Sequence, residues 1–377
     1  MEKAKLLLLD EGWVTTLPVA AGLSGAGYTV HIISADGIDP DPKFLIAYAS
    51  QQRAPSISTS EYMEVINKAA STQEFISVLP MTEPVIYRLW DSALSWSEKI
   101  YPATEEWQRA LLRNKRLMSE FVAKFGVNIP AFCRIESSDD VPTAIRTLGL
   151  PLVVKGVTGL GGTNVRIAET ESAVLDSLRA LTTTSEESPT LQRYIDGPTF
   201  LVGGLFHEGK ALRLYAAEKT EMYPPHTGPS IRLRSHRDED LIGQALRVFR
   251  ELRWNGLASV DFMRDAEGLY YFLEMNPRTW GAIAAARSAG VDIFKPLGAL
   301  LQGKVPAADL TFRTGIRSTL FPEYLQTRIK QGGPRELITL LRNVGGWRDI
   351  PWWYPGIAMH MVRRIYWDWQ SLSRPPK

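Results

Sequence analysis

The stretch from Gly256 to Arg278 reads GLASVDFMRDAEGLYYFLEMNPR, and it decides the fold of the region around it. Two runs of strand-forming residues flank the turn-like tetrapeptide Asp265-Ala266-Glu267-Gly268 and predict a β-hairpin. Because side chains alternate along a strand, Glu274 and Asn276 share one face of the second strand. The hairpin therefore presents a carboxylate and an amide side by side.

The register of this hairpin determines whether Asp261, on the first strand, joins the other two side chains. A loop of two or four residues sets Asp261 opposite Phe272 and diagonal to Glu274, whereas a three-residue loop breaks that register. Mg²⁺ prefers oxygen ligands and commonly takes one or two carboxylates, with water and substrate phosphates in its remaining positions. Asp261, Glu274 and Asn276 fit that need, and Arg278 on the same face adds a guanidinium suited to phosphate or carboxylate.

The alternative interpretation is an exposed hairpin whose acids are simply solvated. The neighbouring residues Val260, Phe262, Tyr271 and Leu273 are instead typical of a covered sheet. Unpaired carboxylates are costly in such surroundings. This pattern favours a metal site over a solvated surface.

Length and composition limit the classes of protein that fit. The chain has 377 residues, a formal charge of +2 and a pI near 8.5. The length predicts two or three domains of roughly 100 to 200 residues each. The balanced charge implies neither nucleic acid nor an anionic membrane as a partner.

Reactive side chains of other enzyme classes are sparse. The single cysteine, Cys133, excludes an internal disulfide, is consistent with a reducing compartment, and is interpreted as a small apolar core residue. The five histidines form no H-E-x-x-H pair, and no G-x-S-x-G motif occurs, so zinc and serine-hydrolase chemistry are disfavoured. The opening run Lys3 to Asp10 is neither a secretory signal nor a membrane span. We expect a soluble cytoplasmic protein.

The chain divides into regions of different pattern. Strand-like and helix-like stretches alternate over the first hundred residues, which predicts a Rossmann-like parallel sheet, although the first strand is not followed by G-x-G-x-x-G. A helical stretch from Glu105 to Phe125 leads into a strand-rich region. The final segment is aromatic: Trp347, Trp352, Trp353, Trp367 and Trp369. The predicted domains are 1–108, 109–195, 196–321 and a helical tail at 322–377.

A glycine-rich loop follows the apolar strand that ends at Lys155. It reads Gly156-Val157-Thr158-Gly159-Leu160-Gly161-Gly162-Thr163. Glycine lets backbone N–H groups approach a phosphate closely, so the loop is suited to cover a triphosphate. It is not a Walker A loop, because the lysine precedes the glycines. Alone, the loop is equally well interpreted as a flexible turn, and a lysine in the position of Lys155 is more often a solvated strand-end residue.

Taken in order, these motifs resemble the ATP-grasp superfamily, which includes biotin carboxylase, D-alanine-D-alanine ligase and carbamoyl-phosphate synthetase. The matching order is a lysine, the K-G-x-x-G-x-G-G loop, the strand Leu191-Gln192-Arg193-Tyr194-Ile195, D-F, and E-M-N-P-R. The recognisable motifs run from about Asn114 to Val291. The resemblance implies an α/β fold, of the α+β ATP-grasp type, in which the N-terminal Rossmann-like domain precedes a two-lobed ATP-grasp module and the helical, aromatic-rich tail.

The resemblance also implies roles for individual residues. Lys115 and Lys155 would contact the ATP phosphates, and the amides of Gly159, Gly161 and Gly162 would cover them. Adenine would lie against Gln192 and the backbone of Arg193, Tyr194 and Ile195. Asp261, Glu274 and Asn276 would bind Mg²⁺ or Mn²⁺, with Arg278 and Lys155 as catalytic residues. The family often holds the ribose with an acid shortly after this strand, whereas this chain has Thr199, so the ribose contact is left open.

The implied reaction is an ADP-forming carboxylate-amine ligation. Mg²⁺, Lys155 and Arg278 would offset the repulsion between the γ-phosphate and a substrate carboxylate, giving an acyl phosphate that an amine then attacks. Water would be kept out by the glycine loop. Two alternatives stay open: an ATP-grasp enzyme with a different acceptor, bicarbonate or a thiol, and a catalytically silent nucleotide-binding protein.

The substrate site is predicted less directly. Glu83 follows a strand end, where ligands bind in open α/β sheets. Ser230 and Arg232 lie in a G-P-S segment of the kind that borders the acceptor site in carboxylate-amine ligases, although a surface role for Arg232 fits equally well. Trp280-Gly281, directly after the metal motif, resembles the smaller ligases that act on amino acids or sugar-linked acids. The expected partners are therefore a small-molecule carboxylate and an amine.

Two further expectations concern larger contacts. The aromatic tail with Arg363-Arg364 is compatible with a peripheral membrane contact, but a helix docked on the ATP-binding core is favoured because Asp368 interrupts the pattern. No nucleic-acid partner and no transmembrane segment are expected. The resemblance makes a homodimer plausible.

Overall fold

The structure is a computed structural model that describes residues 3–11, 16–35, 50–72, 74–156, 165–182 and 189–320, together with 324 and 327. Its strands form three sheets. The α/β class predicted from the sequence is confirmed. The aromatic tail at 322–377 falls almost entirely outside the described residues, and so do its predicted helix and docking.

The first sheet is parallel and has four strands in the order β3-β2-β1-β4. Its strands are β1 (Lys5–Asp10), β2 (Thr29–Ala35), β3 (Ser50–Ala54) and β4 (Phe75–Pro80), and its helices are α1 (Thr16–Gly25), α2 (Ser60–Thr72) and α3 (Glu83–Trp90). The parallel pairing was predicted from the alternation of patterns. Because only two residues separate the end of β4 from the start of α3, Glu83 lies at the carboxyl edge of this sheet.

The predicted helical stretch from Glu105 to Phe125 is in fact two helices, α4 (Glu106–Arg113) and α5 (Lys115–Ala123). Asn114 separates them in an extended conformation, and its side chain accepts hydrogen bonds from the backbone N–H groups of Arg116 and Leu117. Asparagine favours this N-cap position because its side-chain oxygen satisfies N–H groups that lack a partner in the helix. The break makes Lys115 the first residue of α5.

The second sheet is antiparallel, in the order β5-β8-β6-β7. It contains β5 (Phe132–Arg134), β6 (Leu152–Lys155), β7 (Val165–Ala168) and β8 (Thr190–Arg193), and it is covered by α6 (Val141–Leu148) and α7 (Glu171–Thr182). The predicted phosphate-covering glycines Gly159, Gly161 and Gly162 lie outside the described residues. The strands on either side of that loop pair with Lys155 opposite Val165.

The third sheet has six strands in the order β13-β12-β9-β10-β11-β14. Its strands are β9 (Thr199–His207), β10 (Lys210–Met222), β11 (Ser230–Ser235), β12 (Gly256–Arg264), β13 (Tyr270–Asn276) and β14 (Arg317–Thr319), accompanied by α8 (Glu239–Glu251), α9 (Ile283–Ser288) and α10 (Phe294–Leu301). Gly203 of β9 has no room for a side chain, because a Cβ there would lie 2.8 Å from Cε2 of Trp280. The glycine thus lets the indole lie directly on the sheet.

The hairpin register differs from the sequence prediction. Five residues, Asp265 to Leu269, separate the paired Arg264 and Tyr270, and Asp261 pairs with Glu274 rather than Phe272. A β-bulge between Asp261 and Phe262 allows this pairing, because an extra residue in β13 changes the phase of its side chains. Phe272 consequently packs in the core opposite Phe262, while Glu274 joins Asp261 on the other face.

The first and third sheets share one hydrophobic core. Leu6 and Leu8 of β1 belong to the same buried cluster as Leu201 of β9, Trp280 and Leu297 of α10. The second sheet has a separate core, which contains Val154 and Leu191 and no residue of that cluster. No helix among the described residues is long and apolar enough to cross a membrane.

Candidate active site

A cavity of about 500 Å³ lies between the second and third sheets. Its walls combine β6 and β8 of the second sheet with β9, β10, β12 and β13 of the third. Most of the residues predicted for ATP, metal and substrate line it: Lys115, Lys155, Gln192, Arg193, Tyr194, Ile195, Ser230, Asp261, Glu274, Asn276 and Arg278. The fold thus brings together residues that are far apart in sequence.

Asp261, Glu274 and Asn276 lie on the cavity side of the β12–β13 hairpin. Asp261 pairs with Glu274, and Ser259, two residues before Asp261, pairs with Asn276. Asp261 is buried, and its Oδ1 atom has no hydrogen-bond partner among the described residues. A buried carboxylate oxygen with a free lone pair, next to a second carboxylate and an amide, is an oxygen donor set that suits Mg²⁺. The side chains present therefore fit a divalent cation.

Lys115 pairs with Glu274. Its Nζ lies 2.8 Å from Oε2 of Glu274, across 159 residues of sequence. Burial alone would raise the pKa of Glu274, but the ammonium groups of Lys115, Lys219 and Lys155 lower it to about 2. Burial lowers the pKa of Lys115, and the Glu274 carboxylate more than offsets this, so that its pKa is raised. Both groups are therefore charged near neutral pH.

Lys219 of β10 is a site residue that the sequence reasoning missed. Its Nζ donates a hydrogen bond of 2.6 Å to Oδ2 of Asp261. Burial raises the pKa of Asp261, and the Lys219 ammonium only partly opposes this. The available signal was a lysine two residues after the apolar pair Ala216-Ala217, within the region predicted to be rich in strands. That pattern alone does not indicate which residue the lysine contacts.

Arg278 connects the metal motif to the first sheet. Its Nε lies 3.2 Å from Oε1 of Glu83, at the start of α3, and its NH2 group donates a hydrogen bond of 3.0 Å to Oδ1 of Asn276. A further guanidinium nitrogen donates to the carbonyl of Thr279. Burial raises the pKa of Glu83, and Arg278 opposes this rise. The guanidinium is thereby fixed beside the predicted metal ligands.

Lys155 ends β6 and faces the same cluster of charges. Burial and the nearby Lys115 ammonium lower the pKa of Lys155 to about 8, although Glu274 acts in the opposite direction. A lysine with this pKa is well placed to gain from an anion, since added negative charge favours its protonated form. This position agrees with a phosphate-binding role.

The predicted adenine-binding segment lies at the end of β8. Gln192 is buried on the cavity wall, and the N–H of Arg193 donates a hydrogen bond of 2.8 Å to the carbonyl of Ala131. That amide is therefore already used within the fold. Tyr194 and Ile195 line the cavity beyond the strand. Thr199, the residue that left the ribose contact open, also lines it.

The three predicted substrate residues take different positions. Glu83 is engaged with Arg278. Ser230 begins β11 and lines the cavity. Arg232 instead lies 3.7 Å from a carboxylate oxygen of Glu221, and its guanidinium carbon lies 4.8 Å from the ring centroid of Tyr324. Their roles toward a substrate remain predictions.

Comparison with known proteins adds the family to this geometry. Residues 114–300 match the sequence model of the family described as carbamoyl-phosphate synthase L chain, ATP binding domain. The carbamoyl phosphate synthase large chain of Xylella fastidiosa (strain Temecula1 / ATCC 700964) is 24% identical over 216 residues, which cover 52% of this chain and 20% of that relative. The match thus spans about a fifth of the relative's own length.

Solved structures share the fold over more of the chain. An ADP complex of N5-carboxyaminoimidazole ribonucleotide synthetase superimposes with a TM-score of 0.70 and 15% identity, covering 98% of each chain. The biotin carboxylase–β,γ-ATP complex from Campylobacter jejuni superimposes with a TM-score of 0.68 and 16% identity, covering 84% of this chain and 74% of that one. The chain therefore has the ATP-grasp fold, and residues 114–300 match an ATP-binding domain of that kind.

Proposed function

We propose that this protein is an ATP-dependent, ADP-forming ligase that joins a small-molecule carboxylate to an amine through an acyl phosphate. The observation that carries the proposal is the meeting of Asp261, Glu274 and Asn276 with Lys115 and Lys219 in one cavity. A cluster in which oxygen donors alternate with ammonium groups is suited to a metal-bound polyphosphate. The match of residues 114–300 to an ATP-binding domain supports the same nucleotide.

The reaction would proceed in two displacements. An oxygen of the substrate carboxylate attacks the γ-phosphorus, the bond to the bridging oxygen of ADP breaks, and ADP leaves. The amine nitrogen then attacks the acyl carbon, the bond to phosphate breaks, and the amine loses a proton. The first displacement brings two anions together, and the second releases an anionic phosphate. Most of the catalysis is therefore positioning of the reactants and compensation of their negative charge.

The residues of this chain would divide that work. Lys115 and Lys155 would hold phosphate oxygens, and Arg278, fixed by Glu83, would hold the carboxylate in line with the γ-phosphorus. Lys219 would turn from Asp261 toward the transferring phosphoryl group. Gln192 and the backbone beyond it would orient adenine. These roles place binding at one end of the cavity and chemistry at the other.

Mg²⁺, or Mn²⁺ in its place, would be held by Asp261, Glu274 and Asn276. When bound, the cation supplies positive charge beside the phosphates. The two carboxylates would then release the ammonium groups that pair with them, because a divalent cation interacts with them more strongly than a single ammonium does.

Bicarbonate is a second candidate for the acid. A solved structure of similar fold, the biotin carboxylase domain of the 2-oxoglutarate carboxylase of Hydrogenobacter thermophilus, contains MgADP, ADP and bicarbonate. Its TM-score with this chain is 0.67. Bicarbonate would react through the same first displacement, so it is included below as one of the acids.

The test is ADP formation with hydroxylamine as the amine. Hydroxylamine traps an acyl phosphate as a stable hydroxamate, so the natural amine need not be known. We expect ADP and hydroxamate to appear together, and only when a suitable carboxylic acid is present. Formation of AMP, or tight ATP binding without turnover for every acid, would overturn the proposal in favour of another mechanism or a silent nucleotide-binding protein.

Glu274→Gln is the matched variant for this assay. The amide keeps the size of the side chain and removes its charge, so metal-dependent turnover should fall by about 100-fold or more. Glu267→Gln, in the hairpin loop, has the same chemical change on an exposed residue and should leave turnover unchanged. With bicarbonate as the acid, ADP would form without a stable hydroxamate, which separates the second candidate from the first.

The cellular setting belongs to the same proposal. A cytoplasmic location fits a single free cysteine and a reaction that consumes ATP. We propose a homodimer by family resemblance, and sedimentation of the purified protein tests it.

A further inference from the structure

Several apolar residues line the cavity beside its charged residues, and one of them, Leu201, pairs directly with Asp261. We call part of this apolar lining the acceptor wall and define it by Leu201, Met222, Trp280, Gly281 and Leu320. Met222 ends β10, and Leu320 follows β14, with its N–H bonded to the carbonyl of Ile231 at 2.9 Å. The wall is thus built from strands β9 and β10, the residue that follows β14, and the segment that follows β13.

The acceptor wall is held by the core behind it. Leu201, Trp280 and Leu320 are members of the large buried cluster shared by the first and third sheets. The indole of Trp280 lies directly over Gly203, where even a Cβ would be too close. Side chains packed on that side have little freedom to rearrange. The shape of the cavity at this wall is therefore fixed before a substrate arrives.

The acceptor wall carries no formal charge. Among the described residues that line the cavity, six Asp, Glu, Lys and Arg residues form what we call the charged cluster. A seventh, Arg193, lies in the predicted adenine-binding segment at the end of β8. The cluster comprises Lys115, Lys155, Lys219, Asp261, Glu274 and Arg278. His226 and the neutral Thr227, both in the loop that joins β10 to β11, also line the cavity, as does Ser230 at the start of β11. A charged group on a substrate would lose hydration at the wall, and the five described residues that define the wall offer it no charged partner.

We propose that the acceptor wall binds the apolar body of the acid, so that the substrates are monocarboxylic acids with an uncharged, apolar body. This inference rests on the proposed function and specifies its substrate class. With its carboxylate at Arg278, the acid places its remaining carbons against Trp280, Met222 and Leu320. Dicarboxylic acids and acids with a distal ammonium group are excluded by desolvation.

The experiment is the hydroxamate assay with acids of matched length. Hexanoate, 4-methylpentanoate and 3-phenylpropanoate represent the proposed class, and glutarate, adipate and 6-aminohexanoate carry a second charge. We expect the apolar acids to exceed the charged ones by at least about 100-fold in kcat/KM, because burial of an unpaired charge is costly. Equal or better turnover of the charged acids overturns this inference while leaving the proposed function intact.

Gly281→Leu tests the location of the acceptor wall. A Cβ at Gly281 meets nothing within 4 Å, and its backbone φ is outside the left-handed region, so a larger residue extends into open cavity without strain. We expect kcat/KM for 3-phenylpropanoate to fall by about 100-fold and that for propanoate to change less than about threefold. Gly243→Leu is the control, because Gly243 also has open space but lies on the exposed face of α8.

Met222→Lys tests the charge argument in the opposite direction. An ammonium at this partly buried position gives a second carboxylate a partner, so glutarate should gain about tenfold in kcat/KM relative to hexanoate. Leu269→Lys introduces the same charge on an exposed residue of the hairpin loop and should leave the ratio unchanged. An unchanged ratio in Met222→Lys, or equal shifts in both variants, overturns the placement of the acid.

Failure of the two proposals gives different results. If no acid yields hydroxamate and ADP, the proposed function falls and this inference falls with it. If hydroxamate forms but Gly281→Leu affects propanoate and 3-phenylpropanoate equally, the ligase proposal stands and the acceptor wall does not bind the body of the acid.

Discussion

At the scale of single residues, the ion pair between Lys219 and Asp261 shows how the buried negative charge of Asp261 is compensated. Each side chain is only 10% exposed. Removing one partner of a buried pair leaves the other charge uncompensated, which typically costs about 3 to 5 kcal/mol. We therefore expect Lys219→Met to lower the free energy of unfolding by about 3 kcal/mol in the absence of Mg²⁺, measured by urea denaturation.

Added Mg²⁺ should restore part of this loss, because a cation that binds only the folded form stabilises it and here replaces the missing ammonium beside Asp261. Lys210→Met is the control: Lys210 is an exposed lysine at the other end of the same strand, and its loss should change stability by less than about 0.5 kcal/mol. A similar cost for the two variants, or no recovery with Mg²⁺, would show that Lys219 does not stand in for a cation.

Lys155 gives a prediction for pH. Its pKa of about 8 lies below the ordinary value of 10.5, so between those pH values the folded protein binds this proton less than the unfolded chain does. Stability from this group therefore rises with pH across that window. Phosphate binding has the opposite dependence, because it needs the ammonium.

We expect the affinity for MgADP to fall by about tenfold between pH 7 and pH 9, measured by titration calorimetry. Lys155→Arg should bind MgADP with a flatter profile, because a guanidinium stays protonated throughout this range. Parallel profiles for the two proteins would mean that another group, or none, controls the dependence.

The residues also show what sequence can and cannot predict. Glu274 and Asn276 were placed together correctly because two positions on one strand fix their common face. Lys219 contacts Asp261 across 42 residues, and Lys115 contacts Glu274 across 159. Such pairs depend on which strands become neighbours, and no local pattern encodes that. The resemblance to a family supplied Lys115, while Lys219 appeared only in three dimensions.

At the scale of elements, Asn114 determines where Lys115 stands. Its side chain caps α5, and loss of such a cap typically costs about 1 kcal/mol. We expect Asn114→Ala to lower the free energy of unfolding by about that amount and to weaken MgADP binding by about threefold to tenfold, because Lys115 is the first residue of the uncapped helix.

Ser137→Ala is the matched control for this cap. Ser137 caps the short 3₁₀ turn Ser138–Asp140, and its side chain accepts a hydrogen bond from the N–H of Asp139. A similar loss of stability with unchanged MgADP affinity is expected there. If both variants weaken MgADP equally, the effect of Asn114→Ala is general destabilisation and not displacement of Lys115.

Elements were predicted more reliably than their details. The helical pattern from Glu105 to Phe125 was recognised, but the break at Asn114 was not, because helix-favouring residues continue on both sides of it. The hairpin was recognised as well, and its register was wrong. A β-bulge adds one residue without any distinctive composition, so the alternation of Phe272 and Glu274 could not reveal that they face opposite sides.

At the scale of the whole molecule, the first sheet contributes to the site from a distance. Its strands share a buried core with the third sheet, so the two should unfold together. Across that boundary the side chains of Glu83 and Arg278 form an ion pair, 12% and 7% exposed respectively. The position of Arg278 therefore depends on α3 and the first sheet as well as on strand β13, which ends two residues before it.

A double-mutant cycle measures this dependence. Glu83→Gln and Arg278→Gln each leave one buried charge without its partner, whereas the double variant leaves none, so its cost should be smaller than the sum of the two by about 2 kcal/mol. Arg278 also bonds Asn276 and Thr279, and the cycle removes those contributions because they are lost in both variants that lack the guanidinium. Urea denaturation in one cooperative transition provides the four free energies.

Measuring turnover and MgADP affinity for the same variants separates an effect on catalysis from an effect on nucleotide binding. If the first sheet acts on the site through Arg278, Glu83→Gln should reduce turnover of an accepted acid by about 100-fold while MgADP affinity changes less than about threefold, since adenine and Lys155 are bound elsewhere in the cavity. Glu61→Gln, at an exposed residue of α2, should change neither quantity. Additive costs in the unfolding cycle, together with unchanged turnover in Glu83→Gln, would mean that the two charges are neighbours without being coupled.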